Sequence, residues 1–248
     1  MSRAWVVLLA SLLPSIAQGE FEFDFDVGSY ERKPYEVSGY LEGTFEHFVL
    51  DRDAALYALL FPNAEQRSFK RYRATGNLSG LYRWDATTLN GRLQAEVRDD
   101  VFGSSEDVTA QELYLAHEPS ERVSLEVGKR TLRWGAGYAW NPVAFLERPK
   151  DPTDPELTRE GFVMASAEYV RSFDGPLRTL VIQPVILPVN DELNDDFGQD
   201  TALNPALRMY LLYRDTDIHL LARANGSRPG ALGIALSRNL APHFEVHG

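Results

Sequence analysis

The sequence predicts an all-β protein: an antiparallel up-and-down β-barrel that spans a membrane. From Tyr35 onward, short segments alternate apolar and polar residues, and turn-forming residues separate them. Long and short connections alternate along the chain, as in transmembrane barrels with long outer loops and short periplasmic turns. The polar sets carry charges of both signs, whereas the apolar sets are diluted with Gly and Ala.

The first 19 residues have the features of a cleaved secretory signal peptide. Arg3 supplies a positive start, Ala4–Leu13 is mostly apolar, and Ala17 and Gly19 form a small-x-small cleavage site. The apolar run is too short to span a bilayer, and no later stretch approaches 18 consecutive apolar residues. We therefore expect export to the cell envelope and no transmembrane helix in the mature chain.

Residues 20–34 form an acidic-aromatic leader in which Phe alternates with Asp and Glu. This pattern fits a strand and fits a tether equally well. We expect the barrel itself to occupy residues 35–248.

The clearest strand covers Leu89–Arg98, where every second residue is apolar or Gly and the residues between them are polar. Side chains of a strand point alternately to opposite faces, so one face is apolar and the other polar. Later segments are noisier, and Thr109–Ala116 is the weakest of the earlier ones. The predicted strands are Tyr35–Glu46, Ala74–Trp84, Leu89–Arg98, Thr109–Ala116, Val123–Gly128, Phe162–Arg171, Leu177–Leu187, Ala206–Tyr213, Ile218–Ala224 and Ala231–Arg238, and an eleventh begins at Phe244–Gly248.

The connections between these strands fall into two length classes, and only Asn225–Gly230 breaks their alternation by being brief. The predicted short connections are Asp85–Thr88, His117–Glu121, Ser172–Pro176, Arg214–Asp217 and Asn239–His243. The predicted long loops are Asp51–Arg67, Asp99–Val108, Thr131–Gly161 and Pro188–Asn204.

Charged residues recur on the polar side of the alternation. A soluble sandwich would bury a face of large apolar residues, whereas here the charges suit the lining of a water-filled barrel in lipid. We expect outer-membrane lipid around the barrel and a small polar solute within it. The predicted lumen-lining residues are Glu42, Arg83, Arg92, Glu96, Arg98, Glu112, Glu126, Arg208 and Arg223.

A strand ending in Gly128-Lys129-Arg130, followed by Trp134-Gly135, is the most distinctive motif of the chain. The stretch Gly128–Pro142 resembles a pattern of porin-like Gram-negative outer-membrane β-barrel proteins, including exporters of acidic polysaccharide. The resemblance implies a barrel strand that leads into a long loop. It does not identify a substrate.

The loop Thr131–Gly161 is a candidate constriction, since a long loop without a helix signal is usually functional or disordered. Folding into the lumen and lying on the surface both remain open for it. The constriction candidates are Arg130, Arg133, Glu147, Arg148, Lys150, Asp151 and Asp154. Aromatic rings that suit a membrane interface occur at Trp84, Trp134, Tyr138 and Trp140.

Several functional classes are disfavoured by composition. The formal net charge of −11 argues against a nucleic-acid partner, and the absence of Cys excludes disulfides and thiolate metal sites. The acidic stretch Pro188–Asp200 lacks the spacing of a calcium loop, so we expect a solvated loop there. The histidines match no zinc motif, and no Gly-x-Ser-x-Gly elbow occurs. We therefore expect no cofactor and no enzyme, with an outer-membrane hydrolase as a minor alternative.

These observations favour a channel that passes a polar or charged solute. The alternatives are a barrel that serves as a sleeve or assembly partner for another envelope protein, and a soluble periplasmic β-rich binding module. Bacterial single-chain barrels usually have an even number of strands, and the eleventh strand is cut short at Gly248. We therefore expect the N-terminal part of a larger barrel and a sheet that does not close. The sequence indicates neither the solute nor the oligomeric state.

Overall fold

The computed structural model describes residues 33–61, 66–135, 141–149, 160–241 and 244–248. The predicted signal peptide and residues 20–32 of the predicted leader lie outside the described residues. The chain divides into two units, Met1–Lys33 and Pro34–Gly248, and all the strands belong to the second.

Eleven strands form one antiparallel sheet in which each strand pairs with its neighbours in the sequence. This confirms the predicted all-β, up-and-down fold and the predicted strand number. The described part of the chain has one short helix, α1 (Ala55–Leu60). The strands are β1 (Tyr35–Val49), β2 (Ser68–Trp84), β3 (Thr87–Asp100), β4 (Gly103–Ser120), β5 (Val123–Arg130), β6 (Phe162–Ser172), β7 (Leu177–Val189), β8 (Ala202–Tyr213), β9 (Thr216–Arg223), β10 (Ala231–Ala241) and β11 (Phe244–His247).

The sheet is open. Strand β1 pairs with β2 and strand β11 pairs with β10, and no pairing between described residues joins β1 to β10 or β11. The expectation of an unclosed sheet is confirmed, and the ring of a barrel is not observed. Because successive strands are antiparallel, β1 and β11 run in the same direction.

The strand connections separate by length to the two ends of the sheet, except for the two-residue turn between β3 and β4. The connections that follow β1, β5, β7 and β9 are the longer ones and lie at one end, here termed the long-loop end. Those that follow β2, β4, β6 and β8 lie at the other end, the short-turn end, and contain two to four residues. Positive φ angles at Asp85, Arg214 and Asp215 provide the backbone twist that two-residue hairpin turns require.

The prediction of a long loop at Asp99–Val108 is wrong. Strands β3 and β4 continue through this segment to a turn of two residues, Val101 and Phe102. The segment is polar and contains Gly103, so its composition suggested a loop. Its side chains instead support the hairpin, since Ser104 donates a hydrogen bond to Asp99 across the strands.

The burial of the two faces is the reverse of that in a soluble protein: apolar side chains are exposed on one face, and polar side chains are buried on the other. The face that carries the apolar residues, the apolar face, is exposed, and Leu41 has 91% of its side chain accessible. The opposite, polar face buries Asn77 at 8% and Gln183 at 4% exposure. Soluble proteins bury their apolar residues and expose their polar ones. Other members of the apolar face with large exposed surfaces are Leu78, Leu93, Val97, Val108, Leu113, Val127, Ile186, Leu207, Leu232 and Ile234.

A β-bulge explains why Thr109–Ala116 is weak as a sequence pattern. The register between β3 and β4 shifts at Gln111, because Arg92 pairs with Glu112 and Leu93 pairs with Ala110. A bulge places an extra residue in one strand. The side chains of Gln111 and Glu112 consequently both lie on the polar face, where they contact Gln94 and Arg92. The alternation therefore changes phase within a strand that is continuous from Gly103 to Ser120.

Deletion of Gln111 should be tolerated, because it removes the bulge and leaves Glu112 on the polar face and Leu113 on the apolar face. Loss of a residue that is not in a bulge shifts all later side chains to the wrong face. We expect the variant to retain the β-sheet circular dichroism spectrum and a cooperative thermal transition.

Deletion of Leu113 is the matched control, since it moves Leu115 onto the polar face. This variant should lose the cooperative transition. Equal damage from the two deletions would contradict the bulge assignment.

Candidate functional site

The polar face brings the predicted lumen-lining residues onto one surface. Its rows are defined by register: Glu42 lies opposite Thr75, and Thr75 lies opposite Glu96. In the same way Arg208 lies opposite Gln183. All nine predicted positions follow these rows, namely Glu42, Arg83, Arg92, Glu96, Arg98, Glu112, Glu126, Arg208 and Arg223.

Several charges on the polar face are paired with charges of opposite sign. The guanidinium of Arg92 lies 3.4 Å from the carboxylate of Glu112, and Arg130 forms an ion pair with Glu126. A third arginine, Arg71, lies 3.0 Å from Asp100. The wall along β1–β5 is thus polar and largely compensated in charge.

Arg208 has a different environment. It donates hydrogen bonds of 3.4 Å to Gln183 Oε1 and to His219 Nδ1. Its guanidinium also lies 5.7 Å from the centre of the Tyr210 ring. A donor at His219 Nδ1 implies that this nitrogen is unprotonated, so the other ring nitrogen carries the proton.

Two described segments of the predicted constriction loop, residues 131–135 and 141–149, pack on the polar face of β6–β10. They are here termed the docked loop. Its side chains Trp134 and Leu146 are each only 1% exposed. The cluster that they complete comprises Leu132, Trp134, Val143, Leu146, Phe162, Met164, Val185, Leu187, Val189, Phe197, Ala206, Leu221 and Ala235. The later strands are noisy in sequence because the docked loop covers apolar residues on their otherwise polar face.

Trp134 was predicted at the membrane interface, and this prediction is wrong. The indole Nε1–H donates a 3.0 Å hydrogen bond to Gln183 Oε1, and the backbone N–H donates to Glu147 Oε1 at 2.7 Å. A buried indole needs a partner for its N–H, and Gln183 on β7 provides one. Trp84 is 41% exposed at the end of β2, on the apolar face beside Tyr82, so its interfacial role stays a prediction. Tyr138 and Trp140 lie outside the described residues.

The predicted constriction residues occupy different environments. Glu147 is buried within the docked loop, and Arg133 is exposed. Arg148 forms an ion pair with Asp196 and lies 4.3 Å from the ring centre of Phe162. Arg130 lies at the end of β5, with its guanidinium 5.1 Å from the ring centre of Tyr114. Lys150, Asp151 and Asp154 lie outside the described residues.

Two residues that hold the docked loop in place, Arg223 and Gly233, were not predicted from the sequence to contact it. Arg223 donates 2.8 Å and 2.7 Å hydrogen bonds to the carbonyl oxygens of Phe145 and Pro229. At Gly233 a Cβ atom would lie 2.8 Å from Val143 Cγ1 and 2.9 Å from Phe145 Cζ. The only signal in the sequence was a glycine on the polar side of a strand with bulky apolar neighbours.

The acidic stretch Pro188–Asp200 is not simply the solvated loop that composition predicted. Phe197 is fully buried against Phe162, with ring centres 5.2 Å apart. Asn194 Nδ2 donates hydrogen bonds of 2.8 Å and 2.7 Å to the carbonyl oxygens of Val163 and Pro188. One aromatic ring and one amide therefore attach this loop to the sheet.

No protein-family model, curated protein or solved structure matches the chain. Over the described ranges, no helix has the length and apolar character needed to cross a membrane. The candidate site is therefore characterised by its own geometry, which is a charged polar face with a loop docked on part of it.

Substitution of Gly233 by Val should displace the docked loop, because the new side chain would overlap Val143 and Phe145. Overpacking of this kind typically costs about 1–3 kcal/mol. We expect faster tryptic cleavage after Arg133, measured by limited proteolysis of the folded protein.

Gly43→Val is the matched control, since a Cβ atom at Gly43 has no neighbour within 4 Å. Its cleavage rates should equal those of the wild type. Unchanged cleavage in the Gly233→Val variant would show that the loop does not depend on this contact.

Proposed function

We propose that this chain is an exported, porin-like outer-membrane protein whose polar face lines a water-filled passage for a polar or charged solute. The observation that carries the proposal is the inverted burial of the sheet. Large residues of its apolar face are exposed on β1–β5, β7, β8 and β10, whereas several amides and hydroxyls on the polar face are buried. Lipid outside and water inside would satisfy both faces.

The composition of the apolar face supports contact with lipid. On β7 and β8 the residues at this face are Leu, Ile, Pro and Met, without a charged residue between Leu180 and Pro188 or between Leu203 and Leu211 at the apolar positions. A charged Arg or Lys at the midplane of a bilayer costs about 2–4 kcal/mol. Most strands also reach the length of about 9–11 residues that a tilted transmembrane strand needs.

Closure of the sheet is part of the proposal. Unpaired backbone groups in hydrocarbon each cost several kcal/mol, so the free edges of β1 and β11 need partners in a bilayer. Antiparallel pairing of β1 requires a strand that runs in the direction of the even-numbered strands.

The docked loop supports a passage that is narrowed on one side. It covers the polar face of β6–β10, whereas the charged wall of β1–β5 carries Arg92, Glu112 and Glu126. Pores select solutes by their diameter and by the charges that line them. We therefore assign the passage to the space beside β1–β5, with the docked loop as its constriction.

The location of the protein tests the first half of the proposal. Full-length protein expressed in a Gram-negative host should sediment with the outer membrane, resist extraction by salt and urea, and migrate on gels in a heat-modifiable manner. Recovery as a soluble monomer in the osmotic-shock fluid would contradict it.

Conductance tests the second half. The folded protein should form ion-conducting pores in planar bilayers, and Gly233→Val should raise the single-channel conductance because it displaces the constriction. Gly43→Val should conduct like the wild type. A folded, membrane-inserted protein without conductance would show that the polar face is not a passage.

A further inference from the structure

An open cleft lies at the long-loop end of the sheet. It separates residues 195–200, in the connection after β7, from residues 225–229, in the connection after β9. Its volume is about 890 Å³. We refer to this space as the interloop cleft. Its charged lining residues are Asp195, Asp196, Asp200 and Arg228.

The walls of the interloop cleft are held in place by buried contacts. The fully buried Asn204 accepts hydrogen bonds of 3.0 Å at Oδ1 from both the backbone N–H and the hydroxyl of Ser227. On the other wall Phe197 is fully buried, and the Gln199 N–H donates to the Ser227 carbonyl at 3.4 Å. A Cβ atom on Gly198 would lie 2.6 Å from Ser227 Cβ, so the two walls meet closely there. A ligand would therefore enter a preorganised cleft, which lowers the ordering cost of binding.

Arg228 supplies the positive charge of the interloop cleft. Its guanidinium lies 4.2 Å from the centre of the Phe197 ring. Partial burial lowers the pKa of this guanidinium below its usual value. Over the described ranges the group takes part in no ion pair and donates no hydrogen bond, whereas Arg92 and Arg148 are each paired with an acid. The aromatic ring thus holds a cation whose N–H donors remain available to a ligand.

The aspartates of the interloop cleft divide into one that is paired and two that are not. Asp196 forms an ion pair with Arg148 of the docked loop. The side chains of Asp195 and Asp200 are exposed, and neither carboxylate has an ion-pair partner in the part of the chain that the structure describes. The same cleft therefore presents a cation and two carboxylates that do not neutralise one another.

Unpaired charges of both signs in one cleft disfavour ligands that carry a single charge. A simple anion would be attracted by Arg228 and repelled by the aspartates, and a simple cation would meet the reverse. A zwitterion is attracted by both sets. Its carboxylate can accept two parallel hydrogen bonds from a guanidinium, and its ammonium group can donate to aspartate oxygens.

We propose that the interloop cleft binds a small zwitterion with neighbouring ammonium and carboxylate groups, such as a free α-amino acid. The carboxylate of the ligand binds Arg228, and its ammonium group binds the carboxylates of Asp195 and Asp200. The inference rests on the proposed function, because it names the class of solute that the passage receives at its long-loop end.

Three probes with the same carbon skeleton test this inference: L-alanine, a zwitterion; L-alaninamide, a cation; and L-lactate, an anion. Saturation-transfer difference NMR on the full-length, detergent-folded protein follows the methyl signal of each probe and measures binding without requiring conduction. We expect alanine to bind more tightly than either singly charged probe.

Arg228→Gln removes the positive charge of the cleft. This variant should raise the half-saturating alanine concentration roughly tenfold, about 1.4 kcal/mol. It should also bind alaninamide better than the wild type does, because the cation is no longer repelled. Arg214→Gln is the matched control, since the Arg214 guanidinium also lies near an aromatic ring, 5.4 Å from the centre of Tyr213, but at the short-turn end. It should leave the binding of all three probes unaltered.

The double variant Asp195→Asn, Asp200→Asn removes the unpaired negative charges and breaks no ion pair. It should weaken alanine binding by a similar factor and strengthen lactate binding, because the anion is no longer repelled. Damage to the fold would weaken all three probes together and would not change their order. Asp191→Asn, Glu192→Gln is the matched control: it removes the same charge from the same connection at residues that do not line the cleft, and it should preserve the preference for alanine.

Conductance and binding have distinguishable outcomes. A conducting protein that binds alanine no better than lactate or alaninamide would overturn the inference and leave the proposed function intact. Wild-type probe preference in both the Arg228 and the double aspartate variants would also overturn it. Preferential alanine binding without conductance would support the cleft site and contradict the channel.

Discussion

Two-residue periodicity within a single antiparallel sheet is the constraint on which the rest of the structure depends. Each strand places alternate side chains on opposite faces, and the register aligns apolar rows such as Leu78 and Leu93 across the sheet. The apolar rows are exposed, whereas the polar rows include buried amides such as those of Asn77, Gln94 and Gln183. In water this arrangement would leave an apolar surface far larger than the few hundred Å² that monomeric soluble proteins usually expose. The proposal of a lipid-facing exterior follows from this inversion.

The docked loop is the one part of the structure that departs from the simple alternation. Where it packs, the polar face of β6–β10 becomes apolar, and Phe162, Met164 and Leu187 surround Trp134 and Leu146. Hydrogen bonds from Trp134 to Gln183 and from Arg223 to the loop backbone fix its position. The face is thereby divided into a loop-covered part and a charged part.

The strands were predictable because their evidence is local: alternation, turn residues and connection lengths can all be read from consecutive residues. The predictions that failed concern features that depend on contacts between residues distant in sequence. The bulge at Gln111 changes the phase of β4. The polar segment 99–108 is stabilised by contacts such as those of Asp99 with Ser104 and of Asp100 with Arg71. The burial of Trp134 depends on Gln183, 49 residues away. The nine charged positions were predictable as a set, but their ion pairs require the register.

An accessibility scan of residues 89–98 tests the central claim most directly. Single nitroxide labels along this stretch of β3, in protein reconstituted into bilayers, would be compared for collisions with oxygen, which concentrates in lipid, and with a water-soluble nickel chelate. The inverted sheet predicts an alternation of period two, with oxygen favoured at Leu93 and Ala95 and nickel favoured at Arg92 and Glu96. The opposite phase, or the absence of alternation, would contradict the assignment of the apolar face to lipid.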